Sequence, residues 1–244
     1  MPPSWQTAFM RASARSSLVV VVTAAVALTG CSGDDGSAAV EQDPQAALEA
    51  AGEHIDEADG IRFTVDSDDL PDSGTVVLSA DGVAAPPASF SGDLRIRAGA
   101  VPATIGVISI DDRLWAQLPF SQGFEEIQAD ELEGFGDPGK LLDPEHGVSR
   151  LLTAGTDVAA GDQVRVDGEV YDQVESTLPG ELVGTILAIA EPDAEVHATW
   201  ALEPETGRLR QATLTGPFYS GGEQTYTVHL DDYDEPVDIS APTD

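Results

Sequence analysis

The sequence has very little cysteine and few basic residues. Its 244 residues include one Cys, Cys31, and eleven Lys or Arg against 44 Asp or Glu, so the formal net charge is −33 at pH 7. A single cysteine forms no disulfide within the chain, and once it is modified no thiol is left for catalysis or metal binding. The negative charge excludes nucleic acid as a partner and gives no basic patch for anionic headgroups.

Signatures of catalytic and metal sites are also scarce. No Gly-x-Ser-x-Gly elbow occurs, and the acidic stretch from Asp66 to Gly74 has Val77 at the twelfth position, where a calcium-binding EF-hand has Glu. No two histidines have the i, i+4 spacing of a helical metal site; they are His54, His146, His197 and His229. We therefore predict no catalytic residue, no metal and no cofactor.

The N-terminus carries the pattern of a lipoprotein signal peptide. Arg11 and Arg15 precede an apolar run that ends in Leu28-Thr-Gly-Cys31, which is typical of a bacterial lipobox. The run is about 13 residues long, against the roughly 20 that span a bilayer. We expect cleavage after residue 30, a diacylglycerol on Cys31 and an anchor on the outer face of the membrane; an ordinary signal peptide with a chance cysteine is the alternative.

The chain after the leader divides into a tether and a domain. Residues 31–43 are small, polar and acidic, which favours a flexible spacer. Loss of residues 1–30 removes two basic residues and no acidic one, which gives a net charge of −35. We assign residues 44–244 to one domain.

The domain pattern predicts a first helix and then many antiparallel strands. Asp43-Pro44 is typical of a helix start, and apolar spacing predicts a helix over 44–59. Alternation with a period of two predicts half-buried strands, with one apolar face each, around 61–66, 93–97, 164–170, 196–202 and 225–230. Further strands are predicted near 75–80, 103–110, 113–118 and 208–215, with turns at Asp111-Asp112 and Glu203–Gly207.

Two apolar stretches break this alternation. Residues 137–154 predict two short helices with a kink between them, and residues 178–190 predict a third helix. The predicted fold class is α+β, an antiparallel sheet curved around an apolar side that a few helices cover. Because the helices are few for so many strands, a partly hollow interior is expected.

The order of several short blocks resembles the actinobacterial LppX/LprA/LprF/LprG lipoprotein family, closest to the LprG type. The blocks are Leu78-Ser-Ala-Asp-Gly-Val83, Ala88-Ser-Phe-Ser-Gly-Asp-Leu94, Asp111-Asp-Arg-Leu-Trp-Ala116, Asp137-Pro-Gly-Lys-Leu-Leu-Asp-Pro-Glu-His-Gly-Val148, Ala198-Thr-Trp-Ala-Leu202 and Tyr233-Asp-Glu-Pro-Val237. The resemblance implies a U-shaped half-barrel similar to the LolA and LolB carriers. It also implies a cavity for the acyl chains of a triacylated glycolipid, phospholipid or triacylglycerol, and a carrier role, sometimes beside a membrane efflux transporter.

Apolar residues are the candidates for the wall of such a cavity. They are Ile105, Val107, Leu114, Leu118, Leu142, Leu152, Leu187, Ala198 and Trp200; a filled core is the alternative for each of them. A lipid carrier predicts a void larger than about 300 Å³ beneath the helices. With such a void, Ala198→Trp should block lipid loading and leave the melting temperature near normal.

Two other functions remain open from the sequence. One is a membrane-anchored binding or assembly module that presents a surface to a transporter or a wall enzyme and carries no lipid. The other is an exported hydrolase, which the lack of a nucleophile or metal constellation disfavours.

Overall fold

The computed structural model describes residues 40–128, 138–187, 191–220 and 222–242. These residues all belong to one compact unit, Gly33–Asp244, and its apolar side chains form one main core. No helix in these ranges is long and apolar enough to cross a membrane.

The first helix, α1, runs over Pro44–Asp56. The Asp43 side chain caps it by accepting a hydrogen bond of 3.0 Å from the Ala46 N–H, and Pro44 occupies the first turn, where no backbone donor is needed. Leu48, Ala51 and Ile55 form its buried face. The predicted helix is confirmed, although it ends three residues before position 59.

Twelve antiparallel strands follow within the described ranges. They are β1 Ile61–Asp68, β2 Thr75–Ala85, β3 Ser89–Ala98, β4 Val101–Ile110, β5 Arg113–Gln117, β6 Glu125–Ile127, β7 Thr156–Ala160, β8 Val164–Val166, β9 Glu169–Pro179, β10 Glu195–Leu202, β11 Leu209–Gly216 and β12 Gln224–Asp231. The strand order is β6-β5-β4-β3-β2-β1-β12-β11-β10-β9-β7, and β8 pairs with β9 beside this path. The sheet is open, with β6 and β7 at its edges, so the predicted fold class is confirmed.

Alternation along the strands gives the sheet one apolar face. Phe63 of β1 lies opposite Leu230 of β12, and Trp200 of β10 lies opposite Ala212 of β11; all four side chains are buried. Their chain neighbours on the other face, such as Arg62, are more exposed. This inner face and the helices together form the core.

Among the described residues after β6, three short helical segments accompany the sheet. They are a 3-10 helix over Pro138–Leu142, α2 over Val148–Ala154 and α3 over Gly180–Val183. The 3-10 helix packs on β2, β3 and β4, whereas α2 packs on α1. The two short helices predicted within 137–154 are therefore confirmed, although residue 137 lies outside the described residues.

The predicted helix over 178–190 is wrong at its start. Leu178 and Pro179 end strand β9, where Leu178 pairs with Val196 of β10. Proline disfavours helical backbone at the residue before it, and Leu178 is fully buried on the inner face. Only Gly180–Val183 form a helix, turns follow to residue 187, and residues 188–190 lie outside the described residues.

The single strand predicted around 164–170 is a hairpin. Asp167 and Gly168 have φ angles of 51° and 94°, which is the pattern of a tight two-residue turn between β8 and β9. Arg165 consequently pairs with Val170. Val170 therefore does not share a face with Val164 and Val166, and it is 39% exposed whereas Val166 is buried.

Two tyrosines stabilise an irregular point in β2. The register shifts between Val77 and Ser79, and the Tyr219 hydroxyl accepts the Val77 N–H at 3.1 Å. The same hydroxyl lies 2.9 Å from that of Tyr226, which is fully buried. Burial is the larger cause, and this hydrogen bond the smaller one, that raises the pKa of Tyr226 well above its ordinary value of 10.0.

Burial likewise raises the pKa of Tyr233, whose hydroxyl donates to the Leu209 carbonyl.

We expect the free energy of unfolding to fall as the pH rises above about 10. The unfolded chain releases the two tyrosine protons near pH 10 and the folded chain retains them, so each tyrosine lowers stability by about 1.4 kcal/mol per pH unit above that point. Urea unfolding between pH 8 and 11 measures this slope. Tyr226→Phe and Tyr233→Phe should each make it shallower, and an unchanged slope in both variants would contradict the assignment.

Candidate functional site

A small apolar cavity lies between the inner face of the sheet and the helical segments. Its volume is about 60 Å³. The sheet side of its wall is formed by Phe63, Val65, Ala80, Asp81, Gly82, Phe90, Trp200, Ala212, Leu214, Val228 and Leu230. We call the residues on the other side the cover; they are Leu141, Val148, Leu151, Ile186 and Leu187. Asp81 is the one ionisable residue on this wall, and it is exposed.

Trp200 is the largest fully buried side chain on the wall. Its indole N–H donates a buried hydrogen bond of 2.9 Å to the Ser176 hydroxyl on neighbouring strand β9. A buried indole needs such a partner, because an unpaired N–H costs about 1–3 kcal/mol. The bond fixes the orientation of the ring, whose remaining surface is apolar.

A pair of glycines places the ring of Phe90 on the wall. Gly82 of β2 and Gly92 of β3 lie opposite each other on the inner face. A Cβ atom at Gly82 would come within 2.6 Å of the Phe90 ring, and one at Gly92 would come within 2.2 Å of the Asp81 carbonyl oxygen. The missing side chains thus let an aromatic ring lie flat on the sheet, where larger residues would displace it toward the cover.

Of the wall residues predicted from the sequence, the structure brings Leu187 and Trp200 together on the cavity. Six others are buried in the core away from the wall: Ile105, Val107, Leu114, Leu142, Leu152 and Ala198. Leu118 follows the end of β5 and is 41% exposed. Cys31, the predicted lipidation site, lies outside the described residues.

The cavity is much smaller than the expected 300 Å³, so that expectation is wrong for this conformation. The physical reason is that the cover side chains pack onto the sheet and fill most of the space between them, which strand alternation does not predict.

The predicted effect of Ala198→Trp on stability changes as well. Ala198 is 1% exposed and lies off the wall, so a tryptophan there should overpack the core and lower stability.

Several of the wall residues that sequence reasoning missed lie on the two central strands, and others belong to the cover. Phe63, Val65 and Val228 belong to β1 and β12, whereas Ile105 and Leu114 belong to β4 and β5 near one edge. Strand alternation identified the inward positions of β1 and β12 correctly. It gave no signal for which strands lie beneath the cover, because β1 and β12 are neighbours only in the folded sheet.

No group of three or more histidine, cysteine, aspartate or glutamate side chains in the described ranges is placed to hold a metal ion. The wall residues other than Asp81 carry no ionisable side chain. The chemistry that this site offers is therefore contact with apolar groups.

Two solved structures from mycobacteria share this fold. LprF from Mycobacterium bovis superposes with a TM-score of 0.67 at 13% identity, over 83% of this chain and 98% of its own. Lipoprotein LppX from Mycobacterium tuberculosis superposes with a TM-score of 0.55 at 18% identity, over 81% of this chain and all of its own. No curated protein matches the sequence.

The sequence also matches a family profile over almost the whole domain. The profile of the LppX_LprAFG lipoproteins covers residues 43–239, from the cap of α1 to beyond β12. The open antiparallel sheet, the cover and the apolar space between them agree with this match. The chain belongs to the LppX_LprAFG family, a family of lipid-binding lipoproteins of the cell envelope.

Proposed function

We propose that this chain is a lipid-anchored envelope protein that binds acyl chains between the sheet and the cover and carries them across the periplasm-like space. The lipid classes that fit are a triacylated glycolipid, a phospholipid and a triacylglycerol. The single observation that supports the proposal is the apolar wall, against which acyl chains can pack while the headgroup stays in water. A membrane efflux transporter is a fitting partner.

Binding requires the cover to move away from the sheet. A pocket that encloses a drug-sized ligand measures about 300–1,000 Å³, several times the present 60 Å³. The cover meets the sheet across the cavity through apolar side chains such as Leu141, Leu151 and Ile186. Apolar contacts are not directional, so an acyl chain can replace them with similar contacts of its own.

Transfer of a lipid from the bilayer to the protein needs no covalent step. A buried methylene group contributes about 0.8 kcal/mol, so one 16-carbon chain represents on the order of 12 kcal/mol. No lipid with two or three such chains crosses water unaided at a useful rate. A carrier that replaces bilayer contacts with similar cavity contacts keeps the free energy of lipid transfer close to zero. No catalysed reaction is required, and we propose that the protein is not an enzyme.

The small volume of the cavity favours a second candidate function. A membrane-anchored module that presents a surface to a transporter or a wall enzyme needs no lipid space, and 60 Å³ is compatible with a filled core. Native mass spectrometry of the protein purified from its own host separates the two functions. Adducts with the mass of an acylated lipid support the carrier, and a protein that is always lipid-free supports the module.

A matched pair of core variants tests where lipid binds. Ala212 on β11 lies on the wall, whereas Ala198 on β10 is equally buried away from it. We expect Ala212→Leu to occupy the empty volume, to keep the melting temperature within about 3 °C of the wild type and to lower the fraction of protein that carries lipid adducts. We expect Ala198→Leu to lower stability by about 1–3 kcal/mol through overpacking.

Native mass spectra and thermal melts of the two variants and the wild type check this prediction. An unchanged fraction of lipid adducts in Ala212→Leu would place the acyl chains elsewhere. A large loss of stability in Ala212→Leu would show that the wall has no room for an added isobutyl group.

A further inference from the structure

Two neighbouring loops at one end of the sheet present large apolar side chains to solvent. Val101 begins β4 and is 67% exposed, Leu118 follows β5 and is 41% exposed, and Phe120 is fully exposed. Gln117, the last residue of β5, pairs with Gly106 in the middle of antiparallel β4, so the chain after β5 runs toward the end of the sheet at which β4 begins. We call Ala98–Pro102 and Leu118–Phe120 the apolar tips.

The apolar tips are free of charge in a chain that is otherwise strongly acidic. No Asp, Glu, Lys or Arg occurs from Ala98 to Ile110 or from Leu114 to Phe124, although the chain contains 44 acidic residues. Phe120 also has a φ angle of 76°, a backbone conformation that bulky residues rarely adopt. A strained, fully exposed aromatic residue in a charge-free loop is costly in water, and such strain points to a functional role.

We infer that the apolar tips insert into the surface of a lipid bilayer; this inference rests on the proposed function, which requires the domain to meet a membrane. Phe120 can bury about 150–250 Å², and Val101 and Leu118 add only the exposed part of their smaller side chains. A stable contact with a protein or a second copy needs about 800 Å² on each side. Insertion of aromatic and aliphatic side chains to the level of the headgroups needs only isolated protruding residues.

The bilayer that fits the tips is a zwitterionic one. The β1–β2 loop at the same end of the sheet carries Asp68, Asp69 and Asp72, so contact is confined to the flank formed by β3, β4 and β5. Anionic headgroups would repel this loop and the acidic domain as a whole. Binding through the tips should therefore be weak, apolar in origin and strongest on phosphatidylcholine.

The test uses the mature chain with Cys31→Ser, which lacks the acyl anchor and retains the compact unit Gly33–Asp244. Sedimentation with phosphatidylcholine vesicles gives a partition coefficient. We expect Phe120→Ser to lower this coefficient at least tenfold, and the triple variant with Val101→Ser and Leu118→Ser to reduce it to background. Val170→Ser is the matched control, since Val170 is 39% exposed at the opposite end of the sheet, and it should stay within twofold of the parent.

Several outcomes would overturn the inference. These are equal losses in the tip variants and the control, tighter binding to vesicles rich in phosphatidylglycerol, or a tip variant that changes the oligomeric state in light scattering. Native mass spectra of the same samples separate this failure from that of the proposed function. If the protein holds lipid but does not partition onto vesicles, only the membrane insertion of the apolar tips is overturned. If it partitions onto vesicles but never holds lipid, only the carrier function is overturned.

Discussion

Replacing Trp200 by alanine is expected to lower the free energy of unfolding by about 3–5 kcal/mol. The substitution removes the largest side chain on the cavity wall and leaves a void that the surrounding strands fill only in part. It also leaves the Ser176 hydroxyl without the indole N–H that now donates to it. For a domain of this size, the melting temperature should fall by roughly 6–20 °C.

Trp115 provides the matched control for this experiment. It lies on β5 with the Arg113 guanidinium 4.7 Å above its ring and is 9% exposed, so Trp115→Ala creates less of an enclosed void. We expect the loss for Trp115→Ala to be less than half that for Trp200→Ala in parallel thermal melts. A separate variant, Ser176→Ala, should cost about 1–3 kcal/mol by leaving the indole N–H unpaired. Equal losses at Trp200 and Trp115 would contradict the central place of Trp200 in the core.

Replacing Cys31 by serine is expected to release the domain from the membrane without unfolding it. The lipobox pattern ends at this residue, the predicted site of acylation, and stable anchoring takes two or more acyl chains. The described core begins at Val40, so loss of the anchor removes none of its packing. The apolar tips alone should not hold the protein through washing, because three side chains on an acidic domain bind reversibly.

Detergent phase partitioning and cell fractionation measure the effect of Cys31→Ser. The wild type should enter the detergent phase, and the variant should remain aqueous with an unchanged melting temperature. Ser32→Ala, which alters the next residue and retains the thiol, is the control and should behave as the wild type. A Cys31→Ser protein that still enters the detergent phase would contradict lipidation at this site.

The local structure of this protein was predictable because it depends on residues close in sequence. Asp43-Pro44 supplies the cap and first turn of α1, and the alternation of Ile61, Phe63 and Val65 appears as the buried face of β1. Where a local conflict existed, the prediction failed. Leu178 has helical apolar spacing toward Leu182, but Pro179 and the pairing with Val196 keep it in a strand.

The candidate site was less predictable than the fold because it joins residues far apart in the chain. Trp200 was identified from its inward strand position, and Leu187 from its helical spacing. Phe63, Phe90 and Val228 look in the sequence like any other inward strand residue. Their place on the wall depends on the pairing of β1 with β12, which joins residues some 170 positions apart in the chain, and on the position of the cover.

The sequence by itself therefore determined the lipobox pattern, the acidic surface, the strand periodicity and the family, since each of these is written in composition or in local spacing. Only the tertiary structure decided the size of the cavity and its wall. Volume depends on how cover and sheet side chains pack against each other, and the packing of Leu141, Leu151 and Ile186 onto the sheet leaves about 60 Å³ between them. The tertiary structure likewise directed the residues before β4 and after β5 toward the same end of the sheet, because these two strands are antiparallel and Gln117 pairs with Gly106.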